Sequence, residues 1–533
     1  MRAAMRAAKL LAVLLTASAL RTPSLRMSTQ LPTSPQRRRL FQAAGGLIAF
    51  RAYEAPAASK TTKILCETFA KPQTDSKSYR LVELASGVRC LLVQDPRAEK
   101  CAAALDVHVG HMSDPIDRPG LAHFCEHMLF LGNDKYPGED EFEQYISRVG
   151  GSSNAFTDTE DTCYFFELPD PLKLDTALQR WGPFFSSPKF AQDATRREVE
   201  AIDSEHSKNL KSDGFRLFQL TKSRFPSTHP FSKFGTGTRK TLRPPNGDGD
   251  PPVDKLREFY GLNYVGSNMA CVVASTQSLD VLQKLTENAL QDVRSTTERR
   301  PPSTLYFGED PTPSDSDAYV LASLQSQREL SVQWVLPYDR SSSENAFADR
   351  IQKRYFRDDL FLSHILGHEG PDSVLADLRR RGLATGLGAG SGEDTDQFRT
   401  FDVSVQLTQK GLKEWRSVLA TIRSATLGLS STEWPENAFE ETARMARLGF
   451  QCGAASRGAA VPSRHRRDSF PSDEVVGGFF SDFEAIRTAS RDHDAPCHRT
   501  DAVIVASMAW ELDEIDVRAG GARRPTSLIL PQL

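Results

Sequence analysis

No Cys-x-x-Cys pair occurs in this chain. Its eight cysteines, at 66, 90, 101, 125, 163, 271, 452 and 497, are too dispersed for a sulfur-ligated zinc site or a dense disulfide framework. Charge of one sign is lacking too: 66 basic against 69 acidic side chains leave a formal net charge of −3, which gives nucleic acid no footing as the main partner. Outside the extreme N-terminus no apolar run reaches the length of a membrane span, so no stable membrane anchor is expected. The 31 prolines and 34 glycines cluster locally without being in excess. What remains, 39% hydrophobic and 25% charged residues over 533 positions, describes a soluble globular protein of about two to four domains.

The first sixty residues read as an address. Met1 to Lys9 is basic and Leu10 to Leu20 apolar, ending near Ala17-Ser18-Ala19, as in a signal peptide. Arg21 to Arg39 is rich in Ser, Thr, Pro and Arg with no acidic residue, like a transit peptide. Arg37-Arg38-Arg39 then precedes a second apolar stretch, Leu40 to Phe50, and Ala55-Pro56-Ala57-Ala58, a layout like the multipart leader of plastid proteins in algae with complex plastids. A plastid is the first expected location, with mitochondrion, secretion or cytoplasm as alternatives.

Chemistry concentrates between Gly120 and Phe130, where His123, Glu126 and His127 form His-x-x-Glu-His, the reverse of the order in many zinc peptidases. Pro119-Gly120 marks the start of a helix whose apolar side is Leu121, Phe124, Cys125 and Met128. His123 and His127 are four residues apart, so both imidazoles point the same way and can share one metal ion. Glu126 sits on the same edge, where its carboxylate could take a proton from metal-bound water. Downstream, a helix from near Asp193 to Asn209 places Glu198, Ile202, Glu205 and Asn209 along one side. An acid there is a natural third ligand that leaves one coordination position open. Periodicity does not choose between Glu198, Glu205 and the other acids, and a solvated face is the competing reading. His108 and His111 are further candidate ligands, His108 being readily explained by packing in a strand.

Turn-bounded segments outline the rest. Leu81 to Gln94 reads as a hairpin turning at Ala85-Ser86-Gly87, and Cys101 to Gly110 as a strand leading to the metal helix. Glu139 to Val149 and Leu172 to Phe185 read as helices, while the small residues from Gly151 would let another backbone come close, with Cys163 to Leu168 as the partner strand. Pro301-Pro302 and Gly308 to Asp317 read as a linker. Beyond it Leu330 to Pro337 and Phe401 to Leu407 read as strands, and Asn345 to Phe361 and Gly411 to Leu427 as helices. His364 and His368 share the helical metal spacing, but no acid lies between them and glycines follow at once, so a structural role is expected.

Five stretches, His123 to Gly132, Gly151 to Thr157, Arg197 to Asn209, Phe215 to Leu220 and His229 to Gly237, together resemble the insulin-degrading enzyme and nardilysin branch of the pitrilysin-type zinc peptidases. The resemblance runs from about Tyr79 to about Gly449. It implies an α+β fold of repeated pitrilysin-type domains, each a mainly antiparallel sheet covered by helices. It also implies His123, His127 and Glu205 as ligands of one zinc ion per chain, Glu126 as general base, and Glu198 as the carboxylate that orients a ligand histidine. Asn154 and Ala155 are implied to lie on the edge strand where substrates bind, and His368, Glu369, Gly388 and Gly390 to anchor the substrate's N-terminus away from the metal. The expected layout is a leader over 1–60, a zinc-binding catalytic domain over 61–300, a linker or loop over 301–325, an incomplete second homologous domain over 326–450 and a divergent tail over 451–533.

The implied activity is that of a zinc-dependent metalloendopeptidase, hydrolysing peptides by general-base attack of metal-bound water. Full-length members of the branch have two halves, the second supplying an arginine and a tyrosine that hold the peptide carbonyl. No counterparts follow Gly449 in this sequence, as a truncation, frameshift or mis-spliced reading would produce. A second pitrilysin-type half-chain or a homo-oligomer is therefore an expected partner beside the peptide substrates. The alternative reading is a non-catalytic peptide-binding or assembly subunit of a two-chain pitrilysin-type complex.

Overall fold

Short apolar segments bounded by turns pair into two sheets. In the computed structural model the described residues are 61–296, 318–337, 358–431 and 502–508 with 441, 442, 444, 445 and 448, less 70, 72–74, 245, 246, 248, 250, 251, 325, 326 and 396. The expected leader, most of the expected linker and of the helix over 345–361, and the expected tail apart from 502–508 lie outside them.

The first sheet comprises β1 (Lys63–Cys66), β2 (Ser78–Glu83), β3 (Arg89–Gln94), β4 (Cys101–Val107), β5 (Ser152–Thr157), β6 (Thr162–Leu168) and β7 (Met269–Ser275). Their order is β1-β2-β3-β7-β4-β6-β5, antiparallel throughout except at β3–β7. The hairpin read from Leu81 to Gln94 is β2–β3. Every residue of β4 is buried, which is why its sequence shows no apolar–polar alternation. Among the described residues β5 pairs with β6 alone and forms an edge.

Eight helices accompany this sheet among the described residues: α1 (Leu121–Leu129), α2 (Glu141–Arg148), α3 (Leu174–Trp181), α4 (Gln192–Asn209), α5 (Asp213–Lys222), α6 (Arg239–Leu242), α7 (Val253–Asn263) and α8 (Leu279–Leu290). Leu105 and Tyr164 from the sheet pack with Phe124 and Met128 of α1, Trp181 of α3 and Ile202 of α4 in one core. Within it Phe142, Phe166, Trp181, Phe184 and Phe185 meet edge to face, with centroids 5.0–6.0 Å apart. Replacing Trp181 by alanine there would cost about 3–5 kcal/mol. Residues of opposite parity, Leu91, Val93, Val272 and Ala274, form a smaller cluster on the other face.

The second sheet has the order β10-β11-β9-β12-β8, from β8 (Ala318–Ala322), β9 (Glu329–Pro337), β10 (Ala384–Asp394), β11 (Phe398–Leu407) and β12 (Ala502–Met508). Only the β8–β12 pair is parallel. Thus part of the stretch read as a divergent tail supplies a strand, Ala-Val-Ile-Val-Ala-Ser-Met, placed between β9 and β8. With it go α9 (Asp358–Leu366), α10 (Val374–Arg380), α11 (Gln409–Lys413) and α12 (Trp415–Ser431). The helix read over Gly411 to Leu427 is therefore two helices, broken at Glu414. Leu362, Leu375, Leu378, Val405, Val418 and Ile422 fill the core beneath this sheet.

The two units meet through Met112, Phe225 and Phe231 of the first and Val335 and Phe398 of the second, all buried together. Beside them His229 Nε2 donates to Gln397 Oε1 at 2.9 Å, and Ser323 Oγ donates to Asp213 Oδ2 at 2.7 Å.

Candidate metal centre

Helix α1 begins where two glycine backbones touch. Gly120 and Gly237 have φ of 92° and 82°, and a Cβ on Gly120 would lie 2.2 Å from the Gly237 Cα. Neither position tolerates a side chain. Asp114 caps the helix from outside it: its carboxylate accepts from Gly120 N at 2.6 Å and Ala122 N at 2.7 Å. Leu121, Phe124, Cys125, Met128 and Leu129 are buried as their spacing requires. That fixes the rotation of the helix and turns His123 and His127 to the same side.

Helix α4 lies against that side. Glu205 Oε2 comes within 3.4 Å of His123 Nε2 and 3.7 Å of His127 Nε2. The candidate ligand atoms of His123, His127 and Glu205 all lie within 4.8 Å of one another, the one such group found among the described residues. Seven residues earlier on the same helix, Glu198 Oε2 accepts from His127 Nδ1 at 3.0 Å. His123 Nδ1 donates to the Thr236 carbonyl at 2.7 Å. With both Nδ1 atoms so occupied, each ring turns its Nε2 to the centre. Two imidazole nitrogens and one carboxylate oxygen fit a single divalent cation with an open coordination position.

Electrostatics agree with that fit. Burial disfavours the charged form of His127, but hydrogen bonds to Glu198 and Glu205 and the nearness of Glu126 outweigh it and raise its pKa from 6.5 to about 10. The surrounding carboxylates thus favour positive charge at the centre, and a metal ion would replace the proton.

Glu126 is 8% exposed and accepts from Thr157 Oγ1 at 2.5 Å. Thr157 is the last residue of edge strand β5, which also carries Asn154 and Ala155, so the strand edge runs directly to this carboxylate.

Residues 89–227 match the family described as Insulinase (Peptidase family M16), and residues 252–445 match the Peptidase M16 inactive domain. The chain belongs to the M16 peptidase family. Its candidate metal ligands all lie in the insulinase-matching stretch, and its second sheet, apart from β12, in the inactive-domain stretch. The insulin-degrading enzyme of Bos taurus is 39% identical over 347 residues, which are 64% of this chain and 32% of that enzyme. The chain matches only about a third of the length of the first curated relatives. Crystalline pitrilysin shares the fold with a TM-score of 0.70 at 24% identity, over 84% of this chain and 47% of that one. The first half of the periplasmic protease PqqL from Escherichia coli gives 0.50 at 14% identity, over 83% of this chain and 93% of that one.

The remaining candidates lie elsewhere in the fold. His368 and Glu369 follow α9, where His368 Nδ1 accepts from Gly370 N at 3.0 Å and Glu369 pairs with Arg379 at 3.3 Å. Gly388 and Gly390 lie on β10, an edge of the second sheet among the described residues. His364 and His368 have ring centroids 5.9 Å apart, with no third metal-binding residue grouped beside them among the described residues. His108 pairs with Asp161 at 2.8 Å and His111 with Lys222 at 2.8 Å, so neither joins the metal group. Thr157, Thr236 and Asp114 carry parts of the site that the sequence reading left unassigned. The one signal for Thr236 was its place between two glycines, Gly235 and Gly237.

Proposed function

We propose that this chain is the metal-binding half of a zinc-dependent endopeptidase acting on extended peptides. The observation that carries the reading is the convergence of His123, His127 and Glu205 around one point, with buried Glu126 on the same helix. The nitrogen–nitrogen–carboxylate donor set favours zinc, one ion per chain. Zinc bound there would supply Lewis acidity, polarising the scissile carbonyl and acidifying water. Glu126 would take the proton of the attacking water at Oε1, its Oε2 being held by Thr157, and pass it to the leaving amine. Glu198 would keep the His127 ring oriented, and Thr236 the His123 ring.

Among the described residues β5 has a neighbouring strand on one side only, and on the other a peptide could add as a further strand at Asn154 and Ala155. On β10, Gly388 and Gly390 would offer a second strand edge for the substrate's N-terminus, together with His368 and Glu369. A second pitrilysin-type half, in another chain or another copy of this one, would enclose the substrate. That half is proposed because this chain corresponds to 47% of pitrilysin. The composition of residues 1–60 supports delivery to an organelle, a plastid first.

Zinc analysis and hydrolysis of a quenched peptide by the whole chain, beside Glu126→Gln, test the reading. One zinc per chain with hydrolysis abolished in the variant is expected. Zinc without hydrolysis would favour the non-catalytic subunit or an absent partner half, and absence of zinc would defeat the site.

A further inference from the structure

Between the two units lies a polar cluster that the hydrolytic chemistry does not use. Lys222 of α5 is 1% exposed, and its Nζ donates to His111 Nε2 at 2.8 Å. His111 donates twice to the Asp158 carbonyl, from its backbone N at 3.0 Å and from Nδ1 at 3.1 Å, and Met112 N donates to the Thr159 carbonyl at 3.0 Å. The His111 ring also lies on Gly235, where a Cβ would come within 2.7 Å of it.

Both backbone segments that His111 touches lead to the metal centre. Thr157, before Asp158, donates to Glu126, and Thr236, after Gly235, receives the Nδ1 proton of His123. The second unit reaches the same turn: the Thr159 hydroxyl, 3.3 Å from Glu393 Oε2 and 3.2 Å from Asp158 Oδ1, shares its one hydrogen between the two carboxyl groups. Glu393 sits where β10 carries one extra residue, since Ser391 opposes Phe401 but Asp394 opposes Arg399. Such a bulge re-aims a side chain out of the ladder.

We propose that Glu393 is a positioning residue for Glu126: through Thr159 it ties β10 of the second unit to the turn after β5, and so fixes Thr157 Oγ1 against the base. The proposal rests on the reading of Glu126 as general base. Burial, with Asp158 and Asp402 close by, pushes Glu393 up to about 8 against the pull of Lys222 and of the Thr159 hydrogen bond, so the neutral acid prevails at pH 7. Glutamine reproduces its shape, charge and acceptor, and alanine removes all three.

The test uses the whole zinc-loaded chain with Glu393→Ala, Glu393→Gln, Thr159→Ala and the Glu393→Ala/Thr159→Ala pair. Amide exchange across His111 and Met112 reads the turn directly, and steady-state peptide hydrolysis reads the base. Glu393→Ala should speed that exchange about tenfold and lower kcat about tenfold with KM within about twofold. Glu393→Gln should leave both near wild type, and Thr159→Ala should add nothing to Glu393→Ala. Unchanged exchange in Glu393→Ala, or an equal loss of kcat in Glu393→Gln, overturns the proposal. If the wild-type chain hydrolyses no peptide, the reading of Glu126 falls instead, and the exchange alone then decides whether Glu393 holds the turn.

Discussion

Thr157 Oγ1 donates to Glu126 Oε2 across 2.5 Å, joining the end of edge strand β5 to the middle of helix α1. The strand proposed to take up a peptide therefore also holds the carboxylate proposed to activate water. Displacing that strand would move the base.

Thr157→Val keeps the shape of the side chain and removes the donor. It should lower kcat by about 10–100-fold with zinc content unchanged, and Thr157→Ser should recover most of the loss. Kinetics beside metal analysis decide this, and a valine variant with wild-type kcat would show that Glu126 needs no tether.

Glu198 touches the metal group through His127 Nδ1. Glu198→Gln should weaken zinc binding by about 10–100-fold, as loss of such an outer partner typically does, and Glu205→Gln should weaken it more because a ligand is lost. Competition with a chromogenic chelator ranks the two, and the reverse order would exchange the roles of these residues.

The metal-free chain holds a proton on His127 up to about pH 10. Because this pKa is raised above 6.5, the proton's contribution to stability is fully present below 6.5 and is lost as pH rises through about 10. Zinc must displace that proton, so affinity should climb by about tenfold per pH unit through neutrality, releasing one proton from this ring. Calorimetry in buffers of different ionisation enthalpy counts the protons released. Pure zinc binding with no proton release would contradict the assigned charge.

Glu393 has its pKa raised from 4.5 to about 8, with burial, Asp158 and Asp402 raising it and Lys222 opposing them. Its contribution is whole below 4.5 and is lost as pH rises through about 8. The melting temperature of Glu393→Gln relative to wild type should therefore increase between about pH 5 and pH 9. A difference that stays flat with pH would place the charge elsewhere.

Gly120→Ala forces a side chain into a left-handed backbone and against the Gly237 Cα. The conformation alone costs about 1–2 kcal/mol, and the contact adds to it. Chemical denaturation should show a loss of at least that size, accompanied by weaker zinc binding because the Thr236 carbonyl moves away from His123.

The sequence alone determined whatever is local. The four-residue spacing of His123 and His127, the buried stripe of α1 and the hairpin over Leu81 to Gln94 follow from helix and strand periodicity, which neighbours in the chain suffice to express. Periodicity could not separate Glu198 from Glu205, because seven residues are two helical turns and put both on one face. Only the docking of α4 on α1 sends Glu205 to the two Nε2 atoms and Glu198 to an Nδ1. Thr236 reaches His123 from 113 residues away, and Thr159 reaches Glu393 from 234 residues away. Such pairs leave no periodic trace, since each is one hydrogen bond between segments that meet only after the sheets have formed and packed.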